Sequence, residues 1–211
     1  MLVKDRMTLD PYTVNPDTTI NEAFEVMKEH GLRRLPVVKG THLVGMVTDR
    51  ALQRVTPSEA TTLSVFELNY LLNKLTVKDA MRGEVYSIQD SDTVENAAIL
   101  MREKDVGALP VLRGTRLVGI ITETDIFDAF IEMLGARNKG IRLVVRMPDL
   151  PGVGADVFTI ISKYDVNIQH MVLDNGRNGA EITFRLDTDD ASNIKRALTA
   201  KGYTIVEEES D

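Results

Sequence analysis

The sequence predicts an α+β protein: two copies of a strand, helix, strand, strand, helix unit, followed by a βαββαβ unit. Three observations predict it. The first two thirds of the chain repeat at a constant offset, since Pro110 minus Pro36 and Gly119 minus Gly45 both give 74. Each copy sets one helix-period apolar stripe ahead of two short apolar runs. After Gly135 and Gly140 the pattern changes to strand and helix segments in the order of an antiparallel sheet with helices on one face.

The first copy, residues 1–56, starts with VKDRM and an extended stretch, YTVNP. Thr19 is placed to cap a helix in which Ile20, Ala23, Phe24 and Met27 fall at i, i+3, i+4 and i+7. LPVV and LVGMV read as strands joined by the Gly-centred turn KGTH, and a second helix follows. The second copy, residues 77–136, repeats every step: VKDAM, YSIQD, the cap Thr93, the stripe Val94, Ala97, Ala98 and Met101, then LPVL, RGTR and LVGII. Its last helix, TDIFDAFIEML, is expected to bury Ile126, Phe127, Phe130, Ile131 and Leu134 on one face.

Between the copies, residues 57–76 form a bridge: a turn-rich stretch, then SVFELNYLLNKL, where Ser64 and Glu67 fit a capping box. A short packed helix with Phe66, Leu68, Leu71 and Leu72 available for burial is expected there. The last unit, residues 140–208, reads IRLVVRM as strand, DLPGVG as turn and ADVFTIISKYD as helix. VNIQHMVLD and AEITFRLD are strands across the turn GRNG, DDASNIKRALTAKG is a helix, and YTIVEE is the last strand. The tail EEESD is expected to fray.

Composition narrows the chemistry. With 43% hydrophobic and 27% charged residues the chain has an ordinary globular balance, and a net charge of −7 argues against a phosphate-tracking surface. Nucleic acid is therefore not expected as a partner. The absence of cysteine removes disulfides, thiolate zinc sites and a Cys nucleophile, and His30, His42 and His170 share no metal-ligand spacing. No apolar run approaches the ~20 residues that cross a bilayer, and the start lacks a signal-peptide core, so the default is a cytoplasmic location without membrane contact.

The informative difference between the copies is GIITETD, Gly119 to Asp125, against GMVTDRA, Gly45 to Ala51. Thr122 and Asp125 fit a capping box at a helix start, which alone contributes on the order of 1 kcal/mol. The same residues suit a ligand: a helix N-terminus and a hydroxyl for phosphate, and an acceptor-only carboxylate for paired ribose hydroxyls. The first copy keeps Thr48 but carries Ala51, so it loses the ribose acceptor. The residues alone leave capping and ligand binding both open.

These motifs carry a family resemblance. VKDxM, the xLPVV strand and G-h-h-T-x-x-D make each copy similar to a CBS domain, and the tandem resembles a CBS pair, or Bateman module. DLPGVGADV, DVNIQ and the strand order make the last third similar to a ferredoxin-like ACT domain. The arrangement, with its bridge, resembles the acetoin-utilisation AcuB family. The resemblance implies regulatory sensing without catalysis. The implied ligand in one cleft is AMP, ADP, ATP or S-adenosylmethionine, with output through a homodimer or an unidentified regulated protein. In CBS pairs this Thr and this Asp are the usual phosphate and ribose contacts. The implied nucleotide site is Thr122, Thr124 and Asp125, with Val106, Gly107, Ala108 and Ile120 from the second copy and Thr8, Thr13 and Val14 from the first.

Val14, Val106 and Ile120 are equally plain core residues. The second cleft would hold Arg33, Arg34, Thr48, Arg82 and Ile88, beside Leu32, Met46 and Ser87. Its two guanidiniums suit a phosphate, or else form a solvated pair or a dimer salt bridge. In the ACT-like unit, Asp149, Gly152 and Asn167 stand where such domains hold an amino acid, while Met147 offers neither charge nor donor. No metal cluster is expected. The competing expectations are an enzyme or subunit of acetoin or acyl metabolism, and a ligand-free dimeric scaffold.

Overall fold

The structure is a computed structural model that describes residues 1–56, 74–176 and 179–210. The helix expected at Ser64, and Arg177 and Asn178 of the GRNG turn, lie outside the described residues. The chain divides into two compact units, Met1–Phe127 and Asp128–Asp211.

In the first unit, the first copy holds β1 (Thr8–Leu9), α1 (Ile20–Glu29), β2 (Arg34–Lys39), β3 (His42–Thr48) and α2 (Asp49–Val55). The second holds α3 (Val77–Ala80), β4 (Ile88–Gln89), α4 (Val94–Lys104), β5 (Ala108–Arg113), β6 (Arg116–Thr122) and α5 (Glu123–Met133). The helices start where the caps predict. Thr19 Oγ1 accepts the Glu22 N–H at 3.2 Å while Glu22 Oε2 accepts the Thr19 N–H at 2.8 Å, and Thr93 Oγ1 accepts the Asn96 N–H at 3.1 Å. Their stripes are buried at Ile20, Ala23, Met27, Val94, Ala97 and Met101. Both hairpins turn on a left-handed glycine, Gly40 (φ 62°) and Gly114 (φ 63°).

The sheet runs β2-β3-β6-β5-β4, with β1 added to β6. The two hairpins meet at one antiparallel pair, His42 with Arg116, whose numbers differ by the repeat offset, 116 minus 42 being 74. A pseudo-twofold axis therefore passes between β3 and β6.

Each copy's opening is exchanged onto the other copy, an arrangement already implied by the resemblance that sets Thr8, Thr13 and Val14 beside the second copy. The Val3 and Lys4 N–H groups donate to Asp92 and Asp90 C=O at 2.8 and 3.1 Å. Their counterparts, the Val77 and Lys78 N–H groups, donate to Thr18 and Pro16 C=O at 2.8 and 2.9 Å. Val77 is fully buried in the core of the first copy, against Ile20, Leu35 and Leu52. The exchange consumes the VKDxM apolar residue that would otherwise stand unpartnered.

Three local expectations are corrected here. YTVNP forms no strand, only a bridge from Val14 to Val37, because Pro16 and the Asn15 side-chain turn end the pairing at once. On α5, Ile126 and Ala129 are buried, but Phe127 is 66% exposed and Leu134 49%. At 100° per residue Phe127 points a quarter turn away from Ile126, so the two cannot share one narrow stripe.

The third correction lies in the second unit, which contains β7 (Ile141–Met147), α6 (Val153–Ile161), β8 (Ile168–Gly176), β9 (Gly179–Leu186), α7 (Ser192–Ala200) and β10 (Thr204–Ser210). The sheet order is β10-β7-β9-β8, antiparallel throughout. One face packs Leu143, Val145, Phe184 and Leu186 against Val157, Ile161, Ile194 and Leu198. The tail does not fray: Glu207, Glu208, Glu209 and Ser210 pair with β7, and Arg142 and Lys195 neutralise Glu207 and Glu208 at 2.8 and 2.6 Å. An acidic run that would repel itself in solution is thus held by two cations and a ladder.

Tyr203, just ahead of β10, donates its hydroxyl to Asp156 Oδ2 on α6 at 2.7 Å. That bond, then burial and the carboxylate charge, push the phenol's pKa above its ordinary value of 10.0. A raised pKa favours the protonated phenol in the fold. The stabilisation is therefore full below the ordinary tyrosine range and is lost as pH climbs through the raised value. Tyr203→Phe should cost about 1 to 2 kcal/mol at neutral pH. In urea titrations the difference between the two proteins should shrink above pH ~10; a gap unchanged between pH 7 and the highest pH tolerated would refute this account.

Candidate nucleotide cleft

The exchanged openings decide what lines each cleft. In β1, Thr8 pairs with Ile120 and Leu9 with Gly119 of β6. By the same operation Arg82 pairs with Met46 of β3. The structure therefore brings Thr8 to Ile120 on one side, and Arg82 to Met46 on the other.

In the first cleft, β5 and β6 place Ala108 opposite Thr122. Thr122 closes β6 and caps α5. The Thr122 N–H and Oγ1–H both donate to Asp125 Oδ2, each at 2.7 Å, and the Asp125 N–H approaches Thr122 Oγ1 at 3.4 Å. The cap takes one carboxylate oxygen and leaves Oδ1 to accept from a ligand, so capping and ribose binding, set as rivals by the sequence, are compatible. The Thr122 hydroxyl is different. Its single proton is spent on Asp125, so it must turn before it can donate to a phosphate. Asp125 and Thr122 are half-buried, and Thr124, Thr8 and Thr13 are exposed.

Val106 and Ile120 are half-buried, while Ala108 is buried and Val14 is a core residue at 6% exposure. Val14 is fixed by its backbone: its N–H donates to Pro36 C=O at 3.1 Å and its C=O accepts from Val38 N–H at 2.9 Å. Gly107 plays another part than a free backbone edge. Its C=O accepts the Glu123 N–H at 3.3 Å and a guanidinium N–H of Arg34, which fills both lone pairs. A Cβ on Gly107 would lie 2.6 Å from Glu123 Oε2 and 2.7 Å from Arg34 Nη2. The glycine makes room for an inter-copy contact.

That contact corrects the second cleft. Arg34 lies opposite Thr48 in the β2–β3 register, but its guanidinium crosses to Gly107, so it forms no phosphate fork with exposed Arg33. Ile88, at 6% exposure, pairs with Val111 in the core. Thr48 caps α2 by accepting the Ala51 N–H at 3.1 Å, and Ala51 provides no carboxylate. Sequence reasoning missed Glu123 and the reach of Arg34. A signal for the latter was that Arg33 and Arg34 stand where the second copy has Gly107 and Ala108.

In the second unit, Asp149 and Asn167 are exposed, and Gly152 begins α6 at φ 87°. Asn167 is anchored through its C=O, which accepts the Asp187 N–H at 2.9 Å. Met147 is buried in the core. Among the described residues no group of three or more His, Asp or Glu side chains is placed to hold a metal ion. No helix among them is long and apolar enough to cross a membrane.

An exchanged, twofold-related pair of such units defines a tandem CBS module. A family model for the CBS domain matches residues 3–57 and 77–132, and one for the ACT domain matches residues 141–202. The chain belongs to the CBS-domain family, as a pair followed by an ACT domain.

Among relatives, a CBS domain-containing protein of Dictyostelium discoideum is 35% identical over 136 residues, 64% of this chain and 94% of that one. YhcV, a CBS domain-containing protein of Bacillus subtilis, is 32% identical over 59% of this chain and 81% of its own. An inosine-5'-monophosphate dehydrogenase of Korarchaeum cryptofilum, 32% identical over 64% of this chain, is matched over only 26% of its length.

Among solved structures, a protein assigned to acetoin utilization (AcuB) from Vibrio cholerae has TM-score 0.54 and 28% identity, over 65% of this chain and 95% of that one. CBSX2 in complex with AMP has TM-score 0.53 and 30% identity, covering 62% and 97%. The CBS domain pair of protein MJ0100, in complex with 5'-methylthioadenosine and S-adenosyl-L-methionine, has TM-score 0.52 and 26% identity, covering 65% and 98%.

Proposed function

We propose that this chain is a non-enzymatic regulator that binds one adenine nucleotide or adenosyl ligand per chain, in the cleft closed by Thr122 and Asp125. The carrying observation is the half-used carboxylate of Asp125, whose Oδ2 caps α5 while Oδ1 makes no hydrogen bond among the described residues. Ribose hydroxyls donate to that oxygen, and the Thr122 hydroxyl turns to the phosphate while its N–H keeps Asp125 in place. The complexes of CBSX2 with AMP and of the MJ0100 pair with adenosyl ligands support the ligand class. Likeness to the Vibrio cholerae protein is what connects this reading to acetoin utilization; no residue of the cleft carries that link.

The second cleft stays empty of nucleotide in this reading, because Ala51 provides no acceptor and Arg34 is committed to Gly107. Asp149, Gly152 and Asn167 are the amino-acid contacts of the ACT domain, and the working form is a homodimer that signals to a regulated protein. Titration calorimetry of the full chain with AMP, ADP, ATP and S-adenosylmethionine should give one site per chain for at least one of them. Two equal sites, or none for all four, would overturn the proposal, and light scattering at the mass of a single chain would remove the dimer.

A further inference from the structure

The face of the second unit's sheet turned away from its helices carries a charge arrangement that the nucleotide cleft does not use. At one end of this face the strands pair opposite charges: Arg146 lies across from Glu181 and grips it at 2.7 and 2.9 Å. At the other end the register sets Arg142 of β7 directly opposite Arg185 of β9. Like charges facing each other across a ladder are destabilising, and burial aggravates the cost. Arg185 is nevertheless only 8% exposed. The row continues outward to Glu209, opposite Arg142, and to His170, opposite Arg185.

A cavity of about 510 Å³ opens over this row, roofed by the segment that precedes β7. That roof is pinned. Gly135, at φ 63°, packs so closely on His170 that a Cβ would fall 2.2 Å from its ring. The ring Nδ1–H donates to Met133 C=O at 3.1 Å, and Nε2 accepts from the Asn138 side-chain amide at 2.9 Å. Both ring nitrogens are therefore spent on holding the roof. Thr183 lines the cavity, and Leu134 and Val172 give it apolar wall.

We propose that this cavity is a binding site for a small organic carboxylate, its head held by Arg142 and Arg185 and its apolar body against Leu134 and Val172. Paired guanidiniums present parallel N–H donors that match a carboxylate, and an anion between them relieves their repulsion. The surrounding charges weigh against a dianion: Glu207 lies 2.8 Å from Arg142, Arg185 has a protein partner of its own and Glu209 stands at the rim, so a phosphate dianion would add twice the uncompensated negative charge of a carboxylate. None of Asp149, Gly152 and Asn167 lines the cavity, and the proposal is independent of the nucleotide reading.

The test uses the full chain, labelled with ¹⁵N and titrated with sodium isobutyrate, neutral isobutyramide and inorganic phosphate in separate arms. Isobutyrate should give saturable shifts of the Arg142 and Arg185 side-chain Nε–H signals, with no matching effect from isobutyramide or phosphate. Arg142→Gln should weaken isobutyrate binding about tenfold, the size of one lost charge-assisted hydrogen bond. Should that variant fail to fold, Thr183→Val, which keeps the shape, should still weaken it measurably. The proposal falls if isobutyramide binds as well as isobutyrate, if phosphate alone saturates these signals, if no titration saturates, or if folded Arg142→Gln or Thr183→Val binds like wild type.

Discussion

Asp125→Ala is expected to abolish adenine-nucleotide binding at ordinary ligand concentrations while lowering stability by only about 1 kcal/mol. The two effects separate because the carboxylate's oxygens do different work. Oδ2 accepts the Thr122 N–H and hydroxyl, and losing it costs a helix cap. Oδ1 is the acceptor that the proposed ribose contact uses. Two charge-assisted bonds at ~1.5 to 3 kcal/mol each amount to roughly 3 to 6 kcal/mol, or two to four orders of magnitude in Kd. Asp125→Asn sharpens the test, because an amide oxygen still accepts the Thr122 N–H but carries no charge. It should melt near wild type and yet bind nucleotide weakly. Calorimetry and urea titration on the three proteins decide the matter, and wild-type affinity for AMP, ADP, ATP and S-adenosylmethionine in Asp125→Ala would end the assignment.

The elements with strong periodicity were legible in advance. Ile20, Ala23 and Met27, and their counterparts 74 positions on, are buried as their spacing requires, since a helix has one way to hide such a stripe. Caps and hairpin glycines were legible because their signals are local. What escaped was non-local. VKDRM and VKDAM each dock on the other copy, and nothing in a five-residue segment records which of two equivalent surfaces it will cover; only the family resemblance set Thr8, Thr13 and Val14 beside the second copy. The acidic tail was misread because its stabilising partners, Arg142 and Lys195, stand far away in sequence. At the cleft, Thr122 and Asp125 were legible as a pair, whereas the division of labour between Oδ1 and Oδ2, and the diversion of Arg34, needed the fold.

The exchange of openings also explains a glycine that no turn requires, and it makes Gly119→Val the more destructive substitution. Gly119 lies within β6 and is not among the residues with positive φ, so a side chain there is tolerable to its own backbone. The obstacle is β1, which passes directly over it: a Cβ would stand 2.9 Å from Thr8 C=O and 2.5 Å from Met7 Sδ. Gly45 meets the same obstacle from the other opening, 3.1 Å from Arg82 C=O and 2.7 Å from Met81 Sδ. Met7 can swing aside, but Thr8 is main chain. It cannot retreat without giving up its pairing with Ile120 and the bond from Asp10 N–H to Val118 C=O. Overpacking at ~1 to 3 kcal/mol, added to ladder bonds at ~0.5 to 1.5 each, sets the expected loss at roughly 3 kcal/mol or more. Because the proposed nucleotide site takes Thr8 from that same strand, nucleotide binding should fall with stability. Gly83→Ala is the control, with nothing within 4 Å of its Cβ, and should unfold at the wild-type urea midpoint. If Gly119→Val unfolded there too, β1 would not be held against β6 in solution, and the exchanged opening could not be what shapes the cleft.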